Sequence, residues 1–127
     1  MRLLVAALLL APTLSLAHSQ EPAFETEYAY SANFYKTYEL TNSYSFPAVY
    51  SVEVLTKDMK PAKGWSAKKT TFKLMPNSKA DVKLKFKVDG NKRKLLVCTT
   101  LREIGKDSEK ASVISRICSR LIINDAR

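Results

Sequence analysis

Two cysteines, one histidine and 21 lysines and arginines hold most of the chemistry open to this 127-residue chain. Cys98 and Cys118 have neither a Cys-x-x-Cys spacing nor a cluster of histidines around them, so a redox dithiol or a thiolate metal site lacks its other parts. Pairing with each other is the simpler use. His18 is the sole histidine. With no internal imidazole, neither a Ser-His-Asp nor a Cys-His arrangement can be assembled. No glycine-rich phosphate loop is present, and no carboxylates fall in a recognisable pattern. These features describe a binding protein rather than an enzyme, with no cofactor and no metal. His18 itself reads as a tail residue, an amino-terminal copper site being the alternative.

The bases are unevenly placed. Residues 21–53 carry five acids and Lys36, whereas residues 54–127 carry 19 bases against seven acids. One fold with charged faces turned to water accounts for this, and so does a docking surface for an anionic partner. The candidate basic face is Lys83, Lys85, Lys87, Lys94, Arg116 and Arg120, provided their strands share a sheet. A lysine row also protects a sheet edge from aggregation. Nine of the twelve aromatics lie between Phe24 and Tyr50. Of Tyr28, Tyr30, Phe34, Tyr35 and Tyr38, about half are expected in the core and the rest in an exposed stripe. Trp65, among lysines, is expected to cap the core from a loop; stacking on a sugar or sitting at a lipid headgroup are its other uses.

The elements that position these residues begin after a leader. Met1-Arg2, the apolar run Leu3–Leu10 and Ser15-Leu16-Ala17 have the pattern of a signal peptide cleaved after Ala17, and the apolar run is too short to span a bilayer. Residues 18–127 then form one domain in a periplasmic or secreted setting, with no transmembrane segment. Its net charge is +8, the formal +9 less Arg2. The dominant periodicity is two. Val82, Leu84, Phe86 and Val88 alternate with Lys83, Lys85 and Lys87, a half-buried strand. Seven strands are predicted, near 27–34, 36–41, 48–56, 70–75, 80–88, 93–103 and 112–123, and their number and spacing predict an all-β sandwich.

Side-chain parity then orients the cysteines. In the sixth strand Leu95, Val97, Thr99 and Leu101 form the buried set, which turns Cys98 outward. In the seventh, Ile117 and Leu121 face inward and Ile114, Arg116, Cys118, Arg120 and Ile122 outward. Joining Cys98 to Cys118 pairs Thr100 with Arg116 and Leu96 with Arg120. Such a bond stabilises by about 3 kcal/mol through the entropy of the unfolded chain. Asp89-Gly90-Asn91 is a tight-turn signal that would make the fifth and sixth strands a hairpin.

Leu101-Arg102-Glu103-Ile104, then Ser108-Glu109-Lys110-Ala111 and Val113-Ile114, resemble the end of the sixth strand and the start of the seventh in the amino-terminal domain of periplasmic pilus chaperones. Tyr38-Glu39-Leu40-Thr41-Asn42, Pro47 and Phe72-Lys73-Leu74-Met75-Pro76 agree in kind. The resemblance spans most of residues 18–127 and implies a single immunoglobulin-like, seven-stranded, antiparallel β-sandwich. The fifth and sixth strands then lie in opposite sheets, and a disulfide joins the sixth and seventh, as in a subset of the family. It also implies an extracytoplasmic protein partner, such as a pilus-type subunit, bound by strand addition at the seventh strand. The partner-strand residues would be Ile114, Arg116 and Ile122, with Ile123 nearby. The family places large aliphatics where this chain has Arg116 and Cys118, and an unpaired Arg116 in a partner's core would be costly. The family's carboxylate-anchoring bases are replaced as well: Tyr28 to Phe34 has none, and the second falls at Ile123, with Arg120 nearest. The family's second domain has no counterpart. The alternative is a cationic envelope protein whose basic face binds lipopolysaccharide, an acidic glycan or a lipid headgroup.

Overall fold

The computed structural model describes residues 18–105, 109–110 and 115–127, so the expected leader, residues 1–17, and Ile114 lie outside the described residues. Ten strands are described: β1 (His18–Glu21), β2 (Phe24–Ala29), β3 (Asn33–Asn42), β4 (Ala48–Thr56), β5 (Trp65–Ser66), β6 (Thr71–Leu74), β7 (Lys79–Lys87), β8 (Arg93–Ile104), β9 (Glu109–Lys110) and β10 (Arg116–Asp125). One sheet has the order β1-β3-β7-β5; the other has the order β2-β10-β8-β4-β6, with β9 on β8. Alternating side chains from both sheets close the core. Tyr38, Leu40, Val82, Leu84 and Phe86 come from the first sheet, and Tyr50, Val54, Val97, Leu121 and Ile123 from the second.

The sandwich of the expectation is present, and β7 and β8 do lie in opposite sheets. Gly90, at φ 90°, takes the left-handed conformation in the crossing, where a Cβ would be strained. Three points differ from the sequence reading. Seven strands are expected and ten are described, the additions being the short β1, β5 and β9, which are too brief to show a hydrophobic period of two. The predicted strand at 27–34 breaks at Tyr30–Ala32, where the Ser31 hydroxyl donates to the Asn33 carbonyl at 2.7 Å. The sheets are also not wholly antiparallel. After β1 pairs with β3, the chain passes through the cis Glu21–Pro22 peptide into the other sheet, where β2 runs parallel to β10. The chain changes sheet there without reversing.

Buried Asn42 holds one end of the sandwich together. Its Nδ2 donates to the carbonyls of Phe46, Leu74 and Met75 at 3.1, 3.2 and 3.1 Å, and its Oδ1 accepts from Tyr44 N and the Tyr50 hydroxyl at 3.1 and 2.9 Å. Trp65 belongs to a short strand rather than a loop. It packs half-buried on the core and donates through Nε1 to Ala62 O, which matches the capping role.

Candidate functional site

Cys98 and Cys118 are bonded, at a Cα separation of 4.1 Å. The register beside them is Arg116 with Thr100 and Arg120 with Leu96, as parity required. That register also fixes where the backbone of β10 points. Leu101 N donates to Ser115 O at 2.8 Å, so Ser115 and Leu101 form a hydrogen-bonded pair. Alternation makes Ile117–Thr99 another, and Arg116–Thr100 and Cys118–Cys98 the non-hydrogen-bonded pairs. The N–H and C=O groups of Arg116 and Cys118 therefore point sideways, away from β8.

What meets that side changes along the strand. From Arg120 to Asp125 it is β2, and Arg120 N donates to Ala23 O at 2.9 Å. At Arg116 and Cys118, among the described residues, no strand is paired there. Ile122 is consequently not on the open edge, because β2 occupies its flank. Ile123 faces the core and is wholly buried. Arg116 is on the open edge, but its charge is not alone: Nη2 lies 3.0 Å from Glu53 Oε1 on β4, and Nε donates to Thr100 Oγ1 at 3.2 Å.

Behind the open edge lies β1. Its inward residues, His18 and Gln20, are polar and buried. Gln20 Nε2 donates to Val97 O at 2.8 Å and to Ser119 Oγ at 2.7 Å. His18 Nε2 is 3.3 Å from Thr99 O and Nδ1 3.5 Å from Ser115 Oγ, with the ring centroid 4.8 Å from that of Tyr50. A carbonyl can only accept, so Nε2 carries the proton and Nδ1 accepts from the Ser115 hydroxyl. Burial lowers the imidazole pKa below 6.5, only partly opposed by the Thr99 carbonyl, and the ring is held neutral. His18 is thus an ordered interior residue, not a tail. Its alternation with Gln20 across Ser19 was the available strand signal. Where the chain has moved to β2, Glu25 and Glu27 face inward to Lys36 Nζ, at 4.0 and 2.8 Å. Burial, reinforced by those two carboxylates, raises the Tyr38 hydroxyl pKa.

The six bases do not form one face. Lys83, Lys85 and Lys87 stand on β7 in one sheet, while Lys94, Arg116 and Arg120 stand on β8 and β10 in the other. Along most of β7 no strand among the described residues pairs on the side away from β3, since β5 covers only Lys85 and Phe86 and Gly64 O accepts from Lys87 N. Lys79 and Lys83 are placed as edge guards. The exposed aromatics are divided too: Tyr28 is on β2, Tyr35 on β3 and Tyr30 in the turn between them, so they make no single stripe.

Two facing sheets, a first strand divided between them and a disulfide across the last two long strands define an immunoglobulin-like domain. Among solved structures it resembles the amino-terminal domain of periplasmic chaperones of chaperone–usher systems. The SafB chaperone of Salmonella enterica, solved with the SafA pilin, matches with a TM-score of 0.67 and 15% identity over 86% of this chain and 54% of that one. The Escherichia coli chaperone DraB matches with 0.66 and 15% identity, over 86% and 55%. The PapD-like domain 7 of human CEP192 matches with 0.69 and 9% identity over 99% of both chains. The chain spans about half the length of these chaperones, and at such identities the likeness is one of fold. No protein-family model and no curated protein matches the sequence.

Proposed function

We propose that this domain is a non-catalytic, chaperone-like binding module of the periplasm or another extracytoplasmic compartment, which takes up a partner protein by strand addition along β10. The observation that carries this reading is the open backbone of Arg116 and Cys118 beside a flank that β2 closes only from Arg120 onward. An incoming extended segment meets two sets of main-chain donors and acceptors there, the basis of β-augmentation. The Glu53 pairing removes the objection to Arg116, since its charge enters the interface already compensated. The Cys98–Cys118 bond suits an oxidising compartment. SafB, which shares the fold, is seen with a pilin, and assembly of pilus-type subunits is the extension of this reading to function.

The test uses the parity of the strand. Arg116→Pro deletes a sideways N–H together with the side chain that meets Glu53 and Thr100, Arg116→Ala removes that side chain alone and should keep the partner, and Ile117→Pro deletes a donor to β8. In pull-downs from the extracytoplasmic fraction of the source cells, washed at high salt, wild type should retain a β-rich partner. Arg116→Pro should lose it while keeping the wild-type circular dichroism, and Lys83→Gln should keep it. Equal recovery by wild type and Arg116→Pro overturns strand addition.

A further inference from the structure

On the outer face of the second sheet, beyond the point where β2 closes the β10 edge, β2, β10, β8 and the turn after β4 enclose a groove of about 300 Å³. Its apolar surface comes from Phe24, Leu96 and Ile122, and Lys57, Lys94 and Arg120 stand around it. The register explains the grouping. Arg120 lies between Phe24 on β2 and Leu96 on β8, Ile122 lies beside Lys94, and Lys57 follows Thr56, the partner of Leu95. Phe24 is 57% exposed, an unusual position for a phenylalanine, and among the described residues no element covers it. None of the three bases takes part in an ion pair among the described residues, and no acid lines the groove. Glu53, an outward carboxylate on the same sheet, is engaged by Arg116. Three uncompensated cations about an apolar floor repel one another until an anion joins them.

We infer that this groove binds one molecule of an amphiphilic anion, an alkyl chain ending in a phosphate, sulfate or carboxylate, with the chain along Phe24, Leu96 and Ile122 and the head among Lys57, Lys94 and Arg120. An inorganic anion leaves the apolar floor wet, and a neutral surfactant leaves the bases unpaired. A bilayer is flat and presents its heads outermost, whereas the groove is concave with its apolar wall inside the ring of bases. The site is separate from the β10 edge and does not depend on the strand-addition reading.

The experiment is isothermal titration of the whole domain with monomeric dodecyl phosphate, against inorganic phosphate, dodecyl maltoside and phosphatidylglycerol vesicles. Saturable 1:1 binding of dodecyl phosphate is expected, with both soluble controls at least about tenfold weaker. Lys94→Gln and Arg120→Gln should each weaken it by about tenfold, as loss of a charge-assisted contact does. Leu96→Ser should weaken it too, and Lys83→Gln, on the other sheet, should not. Circular dichroism of every variant separates loss of the site from loss of the fold. Unchanged binding by Lys94→Gln/Arg120→Gln, equal binding of inorganic phosphate, or binding to vesicles alone overturns the assignment.

Discussion

Because His18 is the only histidine in the chain, its titration can be isolated with one substitution. The ring is buried in β1, donates from Nε2 to Thr99 O and is held neutral by desolvation. The unfolded chain has no such burial, and there the group titrates near 6.5. Below that pH the unfolded state binds the proton more readily than the folded one, so stability is full above 6.5 and falls with acid until the folded-state pKa is passed. The steepest possible loss for one proton is about 1.4 kcal/mol per pH unit. His18→Gln keeps a donor for the Thr99 carbonyl but cannot titrate. Urea unfolding of both proteins between pH 7.5 and 5 is the assay, and the difference between their stabilities is the quantity read, which cancels the carboxylates and the amino terminus. Wild type should lose stability relative to His18→Gln as pH falls, approaching about 1.4 kcal/mol at pH 5.5 as an upper limit. A pH-independent difference, or a relative gain in acid, would refute the buried neutral imidazole.

Two further variants probe the frame. Asn42→Ala strips the Tyr50 hydroxyl and three carbonyls of their partner, and should cost at least about 3 kcal/mol in urea unfolding, since each orphaned group costs about 1–3 kcal/mol; a loss below about 1 kcal/mol would show that water replaces the amide. Cys98→Ala/Cys118→Ala should likewise lose about 3 kcal/mol with an unchanged far-ultraviolet spectrum, and no loss would mean the strand pairing alone fixes the register.

Much of this architecture was legible because strict alternation reports burial directly. The segment 48–56 coincides with β4, and the parity of 93–103 gives the inward residues of β8 and, through the cysteines, its register with β10. Two of the failures share a cause. Where a strand lies at a sheet margin, its inward side meets polar backbone and other charges rather than an apolar core, and hydrophobic period loses its meaning. So β1 places His18 and Gln20 inward, against the carbonyls of Thr99 and Val97. Lys36 turns inward on β3 because Glu25 and Glu27 face it from β2. Nor does parity say which sheet a strand joins, so the lysines of β7 could be grouped with Arg116 and Arg120 only on condition of a shared sheet, and the topology separates them. The apolar groove among Lys94, Arg120 and Phe24 was equally hidden, since it is assembled from residues far apart in the chain.

The treatment of the edges bears on where a partner strand can enter. An unpaired edge invites association unless something blunts it. On β7 the guards are lysines. On β2 they are Glu25 and Glu27, whose inward charges would be stranded if the strand shifted to pair with another. β6 is four residues long and offers little to extend. At Arg116 and Cys118 the situation is different. The one charge is drawn across β8 to Glu53, and among the described residues no other charge guards the lateral backbone groups. The disulfide then ties β10 to β8 at the same level, so a strand added there meets a partner already ordered. Ordering is part of what association must offset, and an edge fixed beforehand binds more tightly for the same hydrogen bonds. The cysteine pair thus supports the open edge in two ways: it stabilises the fold, and it holds still the two residues whose backbone faces outward.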